Sequence, residues 1–456
     1  MTMTPGKSRG FSFGALVILM AALSFSGCSG SSSPSTMASD PSVVASLPTP
    51  PPPASANTYT GSQSPGQWSL NLDDSKNTFS YQPLTYPASP NTPVSGSLQN
   101  TNGFLNLGKS NGTSLGYVLE VQGRTAVFRP GDSTIAPVMS VPQTSCYPIT
   151  GRLRFQFIAM QAGPYPSSPA GGEGSYTGSL LYYGSFVAST NSDGSSWQFG
   201  NLQGSSIAVS GEGSGLVAGI SGPLSFMGSC KASNGQASIA ISGTTVFNGL
   251  WAPSNQYTPN PPSNTVTTLD VGPTGFFALD QSVPSTTPPT GGAVIGVVEP
   301  SSPLSTSDIE AGNYLGFLYE PENSGVVPVV PGTTAPVAFG AGLSNSLVGG
   351  SFPNDDVTQA PGADITISLG KQDSTLNGLY ASASITVLDP FQNCANYTGS
   401  GTPGKPGIND QGYITCTFPA IAVVGNPEGK YAIFINSYNW AAQLAGVPMQ
   451  LYLYQQ

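Results

Sequence analysis

GFLNLGKS, residues 103–110, fits the phosphate-loop pattern G-x-x-x-x-G-K-[ST] at every position. The fold depends on whether that match is taken at face value. A phosphate loop needs a strand, a Gly-rich turn, and then a helix whose N-terminal amides face the phosphates. The flanking residues do not supply the helix. Asn102-Gly103 and Asn111-Gly112 are hairpin-turn pairs of the type I′ kind, and SNGTSLG after the lysine is rich in turn formers. The stretch reads instead as a strand, Phe104 to Leu107, with Leu105 and Leu107 on one face, held between two hairpin turns. ITVLD, residues 385–389, imitates the second nucleotide-binding strand but also sits in alternating β sequence. No nucleotide is expected to bind.

The same pattern continues on both sides. QWSLNLDDSKNTFSYQ, residues 67–82, is two alternating runs around a DDSKN turn, a hairpin signature. GYVLEV and RTAVF flank Gln122-Gly123, and RLRFQFIAM, SLLYYGSFVAS, WQFGNLQ, SIAVSG and ASIAISGTTVFNGL follow. WAPSNQYTPNPPSN, residues 251–264, reads as a linker. Beyond it come further apolar runs such as AVIGVVEP, NYLGFLYEP, ADITISLG, YAIFINSY and MQLYLYQ. Helical character is confined to YNWAAQLA, residues 438–445. The expectation is an all-β fold of antiparallel meanders in two sandwich-like or barrel-like halves, residues 59–250 and 265–456. One large continuous barrel is the alternative. A faint duplication joins GYVLEVQGRTAVFRPG before GRLRFQF to GFFALDQ and AVIGVVEP before NYLGFLY, though Gly/Ser-rich β sequence aligns with itself easily.

Composition narrows the function. Only 7% of the 456 residues are charged, against a typical ~25%. Lys7 and Arg9 precede an apolar run from Phe11 to Phe25, which is followed by Ser26, Gly27 and Cys28. That order is a secretory signal, residues 1–27, and the run is short for a membrane span of ~20 residues. Its removal leaves 10 basic against 22 acidic side chains, a net charge of −12. A sparse acidic surface argues against nucleic acid, whose phosphates need clustered Lys and Arg. Residues 28–58 are mostly Ser, Pro, Thr and Ala, too poor in apolar side chains to offset the entropy of ordering, and read as a disordered tether.

Phe25-Ser26-Gly27-Cys28 resembles the lipobox of bacterial lipoproteins, with Phe25 where Leu is usual. The resemblance implies cleavage before Cys28 and its lipidation. Acyl chains such as palmitate then hold the protein to a bilayer without a spanning helix. Ser29, by the sorting rule of that class, implies the outer membrane, with the body periplasmic or surface-exposed. Residues 59–82 (YTGSQSPGQWSLNLDDSKNTFSYQ) and the closing LYLYQQ resemble uncharacterised lipoproteins of soil bacteria such as Acidobacteria, a resemblance that brings no activity or site residues.

Four cysteines remain: Cys146, Cys230, Cys394 and Cys416. An even count in an oxidising compartment reads as two disulfides. Of the three possible pairings, Cys146–Cys230 and Cys394–Cys416 put one in each half. Wide spacings and the absence of His argue against a metal site. No cofactor is expected.

Catalytic motifs fare poorly. GKSNG and GTSLG match the G-x-S-x-G nucleophile elbow, but with no His anywhere a Ser-His-Asp triad is impossible. A Ser-Lys dyad stays formally open through Lys76, Lys109, Lys231, Lys371, Lys405 or Lys430. Asp73-Asp74, Glu320 with Glu322, and Asp355-Asp356 are close carboxylates, but adjacent strand residues point to opposite faces. Asp73-Asp74 fits a turn, and Asp355-Asp356 a loop of the oxygen-rich kind that holds Ca²⁺ weakly. Trp68, Tyr182, Tyr183, Trp197, Trp251 and Trp440 offer flat faces suited to sugars, or pack the β core. The expected function is a lipid-anchored cell-envelope protein with a non-catalytic binding or structural role and a glycan or envelope protein as partner. The alternative is an envelope glycan hydrolase working through carboxylates.

Overall fold

The computed structural model describes residues 45–46, 56–63, 66–83, 93–131, 137–142, 146–161, 180–208, 216–222, 226–233, 236–242, 267–280, 292–319, 334–352, 356–389, 407–408, 414–437 and 449–456. They belong to one compact unit. It is almost entirely antiparallel β, as the alternating runs require, and its strands form three successive rings.

The first ring is a closed barrel of eight strands in chain order: Ala56–Gln63, Gly66–Asp73, Thr78–Pro83, Val94–Thr101, Phe104–Lys109, Ser114–Val121, Thr125–Pro130 and Val138–Pro142. It closes where the first strand meets the last, with Tyr59 opposite Pro142 and Gly61 opposite Ser140. The second is a nine-stranded sheet. Eight of its strands, from Leu153–Gln161 to Gly292–Val298, form a ring completed by pairing of Leu180–Thr190 with Ser196–Ala208, and Leu216–Gly222 lies outside it. The third runs from Tyr314–Tyr319 to Gln450–Gln455 and is likewise ringed by eight strands, with Gly407–Ile408 outside. The expected all-β fold of antiparallel, barrel-like meanders is thus present, built as three rings. Residues 251–264 lie outside the described residues, but Gln236–Ser242 before them pairs with Thr267–Val271 after them. The sheets change between residues 142 and 153 and between 298 and 314. At the other end of the expected tether, Ala45–Ser46 pairs with Thr150–Gly151, and the first barrel strand starts at Ala56.

Alternation along each strand sends side chains to two destinations. In the first barrel, Leu105, Leu107, Val118, Ala126, Phe128 and Val138 join one interior cluster with Trp68, Leu70 and Leu72. Their neighbours Phe104, Leu119, Val127, Met139 and Val141 point outward into a second cluster. That second cluster also receives Ile158, Phe276 and Val297 from the second ring, and Phe317, Val423, Phe434, Tyr452 and Tyr454 from the third. The third ring has its own interior of Val337, Ile365, Ile385, Ile433, Leu451 and others. One apolar mass therefore joins all three rings. Burial of a Phe side chain is worth about 2–3 kcal/mol, so Phe104, Phe276, Phe317 and Phe434 make separation of the rings costly.

The phosphate-loop look-alike holds part of this seam. Phe104–Lys109 is a strand, and Asn102 (φ 51°) and Gly103 (φ 89°) form the left-handed pair of a type I′ turn. Phe104 meets Phe317 and Phe352 edge-on at 5.4 and 6.0 Å. Asn102 Nδ2 donates to the Val357 carbonyl. A Cβ on Gly103 would collide with Leu315. The second turn differs from expectation: only Gly112 has positive φ, and Asn111 accepts hydrogen bonds from the Thr113 amide and hydroxyl through its side chain (3.1 and 2.7 Å).

Polar groups tie the second ring to the third. Arg154 and Glu299 form a nearly buried ion pair at 3.2 Å, and the Asn377 amide donates to the same carboxylate at 3.0 Å. Gln156 Nε2 donates to the Asn377 backbone carbonyl. Cys146 is bonded to Cys230, which fastens the segment entering the second ring to one of its strands. Cys394 lies outside the described residues, as does the side chain of Cys416.

Candidate functional site

Glu120 sits on the same face of Ser114–Val121 as the interior residue Val118, one step nearer the barrel end. It is half-buried, and its Oε1 accepts from the Tyr59 hydroxyl at 2.6 Å and from Asn57 Nδ2 at 3.3 Å. Tyr59 is fully buried, and its hydroxyl also accepts the Gly123 amide at 3.0 Å. The strand Ala56–Gln63 brings Asn57 and Tyr59 to this end two residues apart, so both reach the same carboxylate. Asp74 approaches from the turn after Gly66–Asp73 and takes a long contact from Gln122 Nε2, 3.5 Å.

The electrostatics follow from burial. Loss of solvent pushes the Glu120 carboxyl up to about 7, opposed by the Tyr59 and Asn57 hydrogen bonds and reinforced by Asp74. Asp74 is raised as well, first by desolvation and then by Asp73. Tyr59 is raised mainly by burial and then by Glu120, so its hydroxyl stays a donor. Asp73 behaves oppositely. Its carboxylate accepts from Lys76 Nζ at 2.7 Å, Ser75 Oγ at 2.6 Å and the Lys76 amide, which hold it at about 2. The arrangement can keep one proton on Glu120 up to near-neutral pH beside a second carboxylate.

The other candidate residues are dispersed. Asp73 is the turn-capping residue the sequence suggests. Asp356 accepts from the Thr358 amide and hydroxyl and from Gln359 within its own loop. Among the described residues, no group of three or more His, Cys, Asp and Glu side chains could hold a metal. Both G-x-S-x-G matches fall on a turn and a strand, with no helix following, and Ser114 Oγ donates to Asn106 at 2.6 Å. Lys76 is paired with Asp73. Trp68, Tyr183 and Trp197 are buried, Trp68 against Tyr81 and Phe128, and Trp197 against Tyr147 and Phe199. They pack cores and present no binding face. Glu320, Glu322, Asp355, Trp251, Trp440, Lys405, Cys28 and residues 438–445 lie outside the described residues, as do the side chains of Tyr182 and Lys231.

Sequence reasoning passed over Glu120. In GYVLEV a glutamate between apolar residues reads as an outward strand position, and only the pairing that delivers Tyr59 shows it to be inward. It also passed over the one α-helix among the described residues, Thr306–Glu310, whose Ser305 cap accepts from the Asp308 amide. Ser305-Thr306-Ser307-Asp308 carries the S-x-x-D capping signal that would have found it. Among the described residues, no helix is long and apolar enough to cross a membrane.

No protein-family model and no curated protein matches the chain. Among solved structures it is similar to a double mutant of the vaccine antigen Transferrin Binding Protein B from Haemophilus parasuis Hp5. The match has 9% identity and a TM-score of 0.23, and covers 91% of this chain and 78% of that one. Intact Ap-TbpB, with N and C lobes, matches at 9% identity and a TM-score of 0.21, over 89% of this chain and 78% of that one. A single mutant of the Haemophilus parasuis protein matches at 9% identity and a TM-score of 0.20, over 91% of this chain and 97% of that one. At such values the likeness fixes neither the fold nor the function of this chain.

Proposed function

We propose that the chain is a lipid-anchored cell-envelope protein whose β rings serve as a non-catalytic binding or structural module. The anchoring half rests on the sequence, where an apolar run ends in Phe25-Ser26-Gly27-Cys28 ahead of a Ser/Pro-rich stretch. Lipidation of Cys28 in the outer membrane is the corresponding proposal, with the body on the periplasmic or the outer side. The observation that carries the non-catalytic half is how the interior of the barrels is used. The inward side chains fill each of the first and third rings with its own separate cluster, and the outward apolar faces are spent on joining the rings. Such a body is a rigid support, with recognition left to its surface and loops.

Fractionation of cells with wild-type protein and Cys28→Ala, together with a hydrolase panel on the purified mature protein, tests this. The proposal expects wild type in the membrane fraction, the variant in the soluble fraction, and no turnover. A variant that stays with the membrane refutes the anchor, and turnover of any substrate refutes the non-catalytic role.

One observation favours the second reading, a glycan hydrolase. Glu120 held protonated to near pH 7 beside Asp74 is the combination of an acid and a carboxylate that glycoside hydrolysis uses. In that case activity on envelope glycans appears in the panel and is lost in Glu120→Gln.

A further inference from the structure

Asn-Gly occurs five times in the chain, at Asn102, Asn111, Asn234, Asn248 and Asn377. Asn234 and Asn248 lie outside the described residues. The other three share a glycine with positive φ, at Gly103, Gly112 and Gly378, yet the fold treats them differently. Such a pair can react with itself, because glycine has no side chain to hinder attack of its amide nitrogen on the preceding side-chain carbonyl.

Two of the three are tied down. Asn102 Nδ2 donates to the Val357 carbonyl, and a Cβ on Gly103 would meet Leu315, so this pair is packed on the third ring. Asn377 Nδ2 donates to the Pro300 carbonyl at 2.9 Å, and its backbone amide donates to Glu299 Oε1 at 3.0 Å. A Cβ on Gly378 would lie 2.1 Å from the Val424 carbonyl oxygen. The peptide after each of these asparagines has little room to swing.

Asn111 is placed differently. It and Gly112 are exposed at a hairpin tip of the first ring, between Phe104–Lys109 and Ser114–Val121, and a Cβ on Gly112 would meet nothing within 4 Å. Its Nδ2, the group that must leave, makes no hydrogen bond among the described residues. Its Oδ1 accepts from the Thr113 amide at 3.1 Å and from the Thr113 hydroxyl at 2.7 Å. Two donors at such distances stabilise the negative charge that develops on a carbonyl oxygen under attack. The Gly112 amide donates to the Lys109 carbonyl at 2.9 Å, so attack begins with opening of this exposed turn.

We infer that Asn111 is a self-modification site that deamidates within the folded protein, with Thr113 as its oxyanion donor. The Gly112 nitrogen, having lost its proton, bonds to Asn111 Cγ. The Cγ–Nδ2 bond breaks, and Nδ2 leaves with a proton as ammonia, which closes a succinimide ring. Water then adds to either ring carbonyl and reopens it to aspartate or to isoaspartate, whose backbone runs through the side chain. Both products put a carboxylate where a neutral amide stood. The change falls on a tip outside the seam of the three rings, so it marks the age of the protein without loosening the core. The inference stands apart from the anchoring proposal and holds whether or not Cys28 is lipidated.

The test incubates the detergent-solubilised mature protein at pH 6 and pH 9, folded and in urea. Mass spectrometry of its digest then follows the peptides holding Asn102, Asn111 and Asn377, with chromatographic separation of aspartate from isoaspartate. In the folded protein the inference expects Asn111 to convert, faster at pH 9 and to both isomers, while Asn102 and Asn377 keep their amides. In urea all three react at similar rates. Thr113→Val slows conversion of Asn111 in the folded protein about threefold to tenfold and leaves its rate in urea unchanged. Thr113→Ser restores the folded rate. An Asn111 that converts no faster than Asn102 and Asn377 in the folded protein overturns the inference, as do equal folded rates in wild type and Thr113→Val.

Discussion

Glu120→Gln should stabilise the protein at pH 8 and leave it nearly unchanged at pH 4. Folding raises the Glu120 carboxyl from 4.5 to about 7, with desolvation as the largest cause. Between those values the folded state holds a proton that the unfolded state has lost, so wild-type stability falls as pH rises from 4.5 and levels off above about 7. At about 1.4 kcal/mol per pH unit across that window, the ionisation penalty has a ceiling of about 3 kcal/mol. Glutamine cannot ionise, and its Oε1 still accepts from the Tyr59 hydroxyl. The variant therefore escapes the penalty and keeps the 2.6 Å hydrogen bond. Urea unfolding at pH 4, 6 and 8 measures this. The expected difference between variant and wild type is near zero at pH 4, grows through pH 6, and reaches about 2–3 kcal/mol at pH 8. A difference that does not change with pH would mean that Glu120 ionises freely in the fold, and the barrel-end account would fail.

Gly103→Val should cost about 2–4 kcal/mol in urea unfolding, since it combines a left-handed backbone (φ 89°) with a collision against Leu315. A cost under about 0.5 kcal/mol would show that the hairpin does not dock on the third ring. Phe434→Ala removes a fully buried ring from the mass joining the three rings and should cost about 3–5 kcal/mol. Amides near Phe104 and Phe276 should then exchange hydrogen faster, whereas an effect confined to the third ring would contradict a shared core. Cys146→Ser opens a bridge spanning 84 residues and should lower stability by about 2–5 kcal/mol without reductant, and by nothing extra with it.

Local chemistry was legible in the sequence. The left-handed pair Asn102-Gly103 followed by a strand with Leu105 and Leu107 on one face was readable, because turn type and period-2 alternation are properties of neighbouring residues. The Cys146–Cys230 bridge could be favoured because count and compartment constrain cysteines. Ring number was not legible. Closure depends on contacts such as Tyr59 with Pro142, and on Gln236–Ser242 joining Thr267–Val271 across a proline-rich stretch that reads as a boundary. A trace of the answer was present. Thr125 to Arg129 are all buried, and Phe104 and Leu119 are apolar on the face opposite their inward neighbours. Such runs mark strands covered on both sides, which a lone barrel in water would not need. The site was hidden for the same reason, since Glu120 meets Tyr59 only through a contact 61 residues apart.

The claim on which the functional account depends is the anchor at Cys28. The most direct measurement is mass spectrometry of the N-terminal peptide of the mature protein purified from membranes. The account predicts a chain that begins at Cys28 and carries the added mass of acyl chains, with fatty acids released on hydrolysis. An unmodified Cys28, or a mature chain that begins at another residue, would contradict it.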